Sequence, residues 1–434
     1  MFRRETGDPR ADMILVRRGR ANQPAGPASS PRKATARRAL VRVAAAAVLA
    51  NATWFSATAV VPALEHDWAL TPAGAAWLVV VVQVGFVAGS FVAAVLNLPD
   101  RLEPRLLMAA AAVLAGVANL GLLLAHGLIV ALPTRFVVGV ALAGIYAPGV
   151  RLVATHYVRG RGVATGVVVG ALTLGSGTPN LVRGLGDVPW QLTIVVTSGL
   201  AMLSAIVVRS VRTGPGAAPM PPLDLAAAAR AMLGHRPLRL ATAGYLGHMW
   251  ELYALWAWMA TFYIVSRTAS AGVPPTVTET GVVTFGSIGV AGMAGAVGAG
   301  WLADRLGRTT ITSAAMVISA ACCLVSPLAF AAATPIMVIV LAVWGASVIA
   351  DSAQFSAAST ELAEPRYSGS VLALQLAFGF ALTVASIRLV PILADVIGWR
   401  FALLPLAVGP ILGTVAMLRL RALPAAFRLA DGRR

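Results

Sequence analysis

The feature that most constrains this chain is a series of apolar runs, each long enough to cross a bilayer. A transmembrane helix needs about 20 predominantly apolar residues. Twelve stretches qualify: 40–62, 73–98, 106–126, 128–150, 162–182 and 191–209, then 240–264, 281–303, 309–332, 335–358, 368–391 and 399–420. Only 12% of the residues are charged, against about 25% in soluble domains, so lipid takes the place of water around most of the chain. The fold class that follows is an all-α membrane protein of twelve transmembrane helices.

The remaining charges are sorted by position. Net charge is +17, which in a soluble protein points to nucleic acid; its placement here argues against that partner. Every basic residue except Lys33 is an arginine, and most lie in the tails and in alternate loops. With the N-terminus inside, the cytoplasmic segments hold Arg101 and Arg105, Arg151, Arg159 and Arg161, Arg209 to Arg239, Arg305 and Arg308, Arg366, and the tail from Arg419. The opposite loops hold Arg183, Arg267, Arg388 and Arg400, and the first of them, Glu65-His66-Asp67, has no Lys or Arg. This is the positive-inside pattern. It predicts a multi-pass protein of the plasma membrane with both termini cytoplasmic and the lipid bilayer as its surroundings.

Outside the runs, residues 1–39 are polar and basic and read as a disordered cytoplasmic tail. The first apolar run is full length, so it reads as a retained helix rather than a signal peptide. Residues 40–209 and 240–420 form two six-helix halves, joined by a cytoplasmic linker at 210–239 and followed by a tail at 421–434. Within the linker, 223–233 reads as a short surface helix, whether lying on the membrane or merely connecting. Cys322 and Cys323 are adjacent inside an apolar run, where small core residues are expected rather than a disulfide or a metal site. The halves also repeat. Asp100-Arg101 is answered by Asp304-Arg305, Arg161-Gly162 by Arg366 and Gly369, Arg183 by Arg388, and Trp190 by Trp399. Pseudo-symmetric repeats of this kind are an architecture of secondary transporters.

These features resemble the major facilitator superfamily. Its cytoplasmic signature, Gly-x-x-x-Asp-Arg-x-Gly-Arg followed by Arg or Lys, is matched after helix 8 by Gly300, Asp304, Arg305, Gly307 and Arg308, with Thr309 in the final place. The copy after helix 2 keeps Asp100, Arg101 and Arg105 but has Leu96, Glu103 and Pro104 elsewhere. Arg135 to Gly139 resembles the family's helix-4 pattern. The resemblance covers roughly 40–420 and implies that the turn at 300–308 latches the halves on the cytoplasmic side. A carboxylate at Asp304 can meet a helix N-terminus or pair with Arg305 or Arg308; the arginines can also serve only as topology anchors. The resemblance further implies that helices 1, 4, 7 and 10 line a central cavity, which makes Asn51, Trp54, Tyr146 and Gln354 substrate-site candidates.

Ionisable residues inside spans are costly and mark functional candidates. Glu251 lies midway along helix 7, where desolvation disfavours the charged form and lets a carboxylate exchange a proton in the working range. His248 is one turn away on the same face. The pair can relay a proton or bind substrate, or Glu251 can be a neutral hydrogen-bonded strut between helices. Asp351 in helix 10 is a further candidate. Arg135 and Arg388 can bind an anionic substrate or a buried acid, or snorkel. Glycines at 162, 166 and 170 of helix 5 allow close helix packing.

The expected function is secondary active transport of a small solute by alternating access, with protons as coupling ion and no cofactor or metal, by a monomer. Drug-efflux antiport competes with uptake of a small anion of the nitrate, nitrite or cyanate kind or of a metabolite; a non-transporting sensor on the same fold is the alternative from another class. An anion carrier should need its intramembrane arginines, and a cation exporter Glu251 and Asp351. An ATP-driven pump would need a phosphate-binding loop ending in Gly-Lys-Ser/Thr, and the one lysine, Lys33, is not preceded by such a loop. No paired His and Asp at metal spacing points to an enzyme.

Overall fold

A computed structural model describes residues 30–96, 98, 102–157, 161–186, 189–214, 224–364 and 367–433, and within them the regular structure is helical throughout. In the first half, α1 is Ser30–Asn51, continued by short helices Ser56–Ala59 and Val61–Trp68. Next come α2 (Pro72–Val95), α3 (Pro104–Leu120), α4 (Leu128–Ala154), α5 (Arg161–Arg183) and α6 (Trp190–Arg209). A linker helix, Leu225–Gly234, leads to α7 (Arg236–Ala271). Then follow α8 (Val277–Leu306), α9 (Arg308–Ala329), α10 (Thr334–Leu362), α11 (Ser368–Ile397) and α12 (Trp399–Arg421).

Nine of these, α2 to α4, α6 and α8 to α12, are long and apolar enough to cross a membrane by length and composition. The other three, α1, α5 and α7, have 22, 23 and 36 residues but carry more polar groups. A helix turned wholly to lipid must be apolar all round. These three face the middle of the protein, where Asn51, Thr173, His248 and Glu251 are buried. The membrane spans therefore follow the apolar runs. The start of α1 does not: the helix begins at Ser30 rather than 40, because Pro31 suits a first helical turn and the Arg, Lys and Ala that follow are good helix formers. Polarity there was read as disorder. Residues 1–29 lie outside the described residues.

The end of the chain is docked rather than loose. A 3₁₀ helix at Pro424–Gly432 buries Ala426 and Leu429 completely, and Arg433 donates to the carbonyl of Asp304. Together with the first turns of α1, it defines what we call the terminal face. The linker helix is capped by Asp224, whose carboxylate accepts from Ala227 N at 2.8 Å, and it packs on α7 and α11.

Two seams join the halves, α5 against α8 and α2 against α11. The first is possible because its contact positions lack side chains. A Cβ on Gly166 would lie 2.8 Å from the carbonyl oxygen of Ala296, and one on Gly300 2.7 Å from that of Gly162. Near its middle, α8 loosens into a π-helix at Phe285–Ala291, a device common at functional sites. Gly166→Leu is expected to force the seam apart and to cost about 1–3 kcal/mol. The measurement is thermal melting in detergent; an unchanged melting temperature would show that this contact is not made.

Candidate functional site

The site begins with a break in α1. Residues 52–55 leave the helix as turns, although neither Gly nor Pro stands there. Broken turns expose carbonyls that hydrocarbon cannot satisfy. Here Arg135 of α4 satisfies them: its Nη1 donates to Thr53 O at 3.0 Å and its Nη2 to Trp54 O at 2.5 Å. Nη1 also reaches Asn119 Oδ1 at 2.9 Å and Ser56 Oγ at 3.2 Å. Asn119 in turn donates to Thr197 and Ser198 of α6. Arg135 is fully buried, and the contacts found for it include no carboxylate. It neither snorkels nor faces a cavity, as an anion-binding role would require. It holds open the bend that aims Asn51 and Trp54 inward.

Beside that bend lies a central cavity of about 70 Å³, with walls from both halves. Asn51, Trp54 and Tyr146 line it, as do Tyr245, Met249, Tyr253 and Trp256 of α7, Ser352 and Ser356 of α10, and Phe86 and Phe380 of the α2–α11 seam. Asn51 is fixed by Nδ2 donating to Leu172 O at 2.8 Å and to Ser176 Oγ at 2.6 Å. On the side away from the terminal face the cavity is closed by rings. Trp54 stacks on Tyr253 at 5.5 Å, Phe86 meets Phe380 at 4.3 Å, and Phe55 meets Trp256 at 6.0 Å. Beyond this aromatic layer is a larger vestibule of about 250 Å³, bordered by Thr58, Asn180, Arg183, Trp258 and Thr261.

Behind the cavity wall, within the second half, the buried ionisable groups converge. His248 Nδ1 lies 2.8 Å from Asp351 Oδ1. The two atoms are within ion-pair distance, yet neither meets hydrogen-bond geometry. One turn along α7, Glu251 Oε1 accepts from Ser319 Oγ at 2.6 Å, Trp344 Nε1 at 2.5 Å and Cys323 Sγ at 3.2 Å. Three helices, α7, α9 and α10, thus meet on one carboxylate. Glu251 therefore joins α7 to α9 and α10 by hydrogen bonds, as the strut reading has it. His248 also packs against Tyr245 and Phe355, with ring centroids 6.0 and 5.7 Å away, and Tyr245 reaches the cavity.

At the terminal face the turn at 300–308 spans both halves. Asp304 Oδ2 accepts from Val163 N at 3.3 Å, so its carboxylate sits on the N-terminal turn of α5, across the seam. Arg308 does not pair with Asp304. It makes a forked contact to Glu361 at the end of α10, as short as 2.6 Å, and donates to Gln354 at 2.8 Å. Arg305 stacks on Trp301 at 3.5 Å. Gly307 adopts φ 97° to turn α8 into α9, a conformation that favours glycine. Glu361 Oε2 also accepts from Ala430 N at 3.1 Å, which ties the docked C-terminal helix into the cluster.

The sequence matches the family model of the Major Facilitator Superfamily over residues 43–386. The chain belongs to that superfamily. It is similar to a solved structure described as a bacterial homolog to the human lysosomal transporter Spinster, in an inward-facing and unoccupied conformation. The identity is 13%, the TM-score 0.66, and the match covers 91% of this chain and 100% of that one; at such identity the likeness concerns the fold. A search of curated proteins finds no match. As a member of the Major Facilitator Superfamily, the chain is a multi-pass membrane protein and a secondary transporter of two six-helix halves.

Within this superfamily fold, several expected site residues stand elsewhere. Gln354 belongs to the terminal-face cluster and not to the cavity. Arg388 lies over the ring of Trp77 at 4.7 Å, bridging the α2–α11 seam away from the cavity; it is held by a ring and not by an acid. Arg105 pairs locally with Glu103 at 2.7 Å. Asp100 and Arg101 lie outside the described residues, as does Arg366. Sequence reading missed Glu361, which falls just beyond the apolar run of α10, and the aromatic layer of Phe86, Tyr253, Trp256 and Phe380. The signal for that layer was available: bulky rings on helices 2, 7 and 11 at depths matching Trp54. Arg135→Leu should leave two buried carbonyls and Asn119 without their donor. At about 1–3 kcal/mol per unsatisfied group, the expected loss is several kcal/mol, seen as a lower melting temperature or failure to purify. A variant as stable as the parent would remove Arg135 from this role.

Proposed function

We propose that this transporter couples proton movement to translocation of a small, largely apolar, ring-tolerant solute by alternating access. The observation that carries this reading is the placement of His248, Asp351 and Glu251 directly behind the cavity wall, on the same helices that form it. Residues 245, 249, 252 and 253 of α7 face the cavity, and 248 and 251 of the same helix face the buried cluster. A proton taken up there changes the charge between α7, α9 and α10 and so biases the shape of the cavity. Because Glu251 accepts three hydrogen bonds, its charge state and the spacing of those helices are linked.

The lining supports the solute class. Seven of its nineteen residues carry rings and seven are Leu, Ile, Val or Met, and the indole nitrogens of Trp54 and Trp256 are buried without a protein acceptor, so they are available to a solute that accepts hydrogen bonds. Neither Arg135 nor Arg388 lines the central cavity, which weighs against uptake of a small inorganic anion. The concentration of arginines at the terminal face supports its assignment to the cytoplasm of the plasma membrane. With that orientation, the state described here is shut toward the cytoplasm.

The coupling test uses proteoliposomes and a solute identified by thermal-shift screening. Glu251→Gln should abolish pH-gradient-driven uptake while retaining solute exchange; undiminished gradient-driven uptake overturns the coupling assignment. The gate has its own test. Asp304→Asn removes a charge from the α5 N-terminus, an interaction of about 0.3–1 kcal/mol at such sites. Hydrogen–deuterium exchange in the first turn of α5 should rise roughly two- to fivefold on that basis, and equal exchange would reduce Asp304 to a topology anchor. Orientation is read from epitope tags in 63–72 and 210–239, which must report opposite sides.

A further inference from the structure

A second polar cavity lies outside the transport path, at the terminal face of the first half. It measures about 240 Å³ and is lined, among the described residues, by Thr35, Arg38, Arg42, His156 and Arg212, with Ser210 and two small apolar residues and no acid. Arg38 and Arg42 are four residues apart on α1 and so share one face. The pocket is built rather than a chance gathering of surface arginines. The segment leaving α6 is pinned to the end of α4 by Gly214 N donating to Thr155 Oγ1 at 2.8 Å and by His156 Nε2 lying 3.0 Å from Arg212 O. It is pinned to α1 by Arg42 Nη1 donating to Ser210 O at 3.1 Å. Val211 between them is buried.

We infer that this pocket binds the phosphate of an anionic membrane lipid. Guanidinium groups match phosphate in charge and donor geometry, and basic pockets between transmembrane helices at the membrane surface take anionic headgroups. A lipid fits better than free phosphate because the rim continues into apolar surface. Val41, beside Arg42, is 59% exposed, and Ile206, one turn before Ser210, is 70% exposed. An acyl chain leaving the pocket would lie along them. The bound phosphate would tie α1, α4 and α6 together at the face where the halves close, independently of which solute is carried.

The experiment titrates the purified full-length protein with short-chain phosphatidylglycerol, short-chain phosphatidylcholine and inorganic phosphate, with thermal shift and native mass spectrometry as readouts. Phosphatidylglycerol should stabilise the protein saturably, and the other two should not at equal concentration. Arg38→Gln and Arg212→Gln should each weaken phosphatidylglycerol binding about fivefold, the worth of one arginine at a membrane surface. Arg419→Gln, an exposed arginine of the other half, should leave it unchanged. Equal binding of phosphatidylcholine would mean an apolar annulus, and equal binding of inorganic phosphate a free-anion site. Unaltered affinity in both pocket variants, or an equal loss in Arg419→Gln, would mean diffuse surface charge. Each of these outcomes overturns the assignment.

Discussion

A backbone carbonyl released inside a bilayer has no water to accept from, and that constraint governs the interior of this protein. The bend at 52–55 of α1 exists because Arg135 supplies donors to Thr53 O and Trp54 O. Asn119 then anchors the guanidinium to α6 through Thr197 and Ser198. From the bend follow the inward aim of Asn51 and Trp54, the stacking of Trp54 on Tyr253, and so the wall that both halves share. The irregular backbone is tolerated because protein surrounds it. A second irregular turn stands at Asp351, where α10 pauses beside His248.

The halves repeat in topology but not in chemistry. The first half carries a fixed guanidinium, held by carbonyls and amides. The second carries His248, Glu251 and Asp351, all buried. The terminal face shows a similar division. Asp304 reaches across the seam to α5, while Arg308 stays within its own half on Glu361 and Gln354. The carboxylate thus makes the contact between halves at this turn, and the arginine makes contacts within one half.

Much of this was legible in the sequence because lipid imposes simple rules. Apolar runs located the spans, and the spacing of Gly162, Gly166 and Gly170 announced a close helix contact, realised against Gly300, Ala296 and Met293. That Glu251 and His248 lie deep in one helix was visible from the sequence, and both are buried. What stayed hidden depended on partners far apart in sequence. Arg135 was read as a candidate for an acid or an anion because a buried cation usually needs one; its partners are backbone oxygens, which composition cannot announce. Arg388 found a ring. Glu361 lay past the end of its apolar run, where nothing marked it as the partner of Arg308. The start of α1 was missed because polarity was taken for disorder in a stretch with good helix propensity.

The order of compartments across the membrane gives the geometry its direction. From the terminal face one meets the Asp304–α5 contact, the docked C-terminal helix, the small cavity, the aromatic layer and the vestibule. The terminal-face barrier is made of backbone contacts, charge and hydrogen bonds along glycine-lined helices; the other barrier is made of rings. Rings can part by rotation about two side-chain bonds, a small local motion. The α5–α8 seam can part only as a body, because its backbones touch at Gly166 and Gly300 with no side chains between them. The same seam keeps its backbones in contact beside the vestibule, where a Cβ on Gly281 would lie 2.5 Å from the carbonyl oxygen of Asn180. The buried cluster of His248, Glu251 and Asp351 lies among α7, α9 and α10, in the same half as α8.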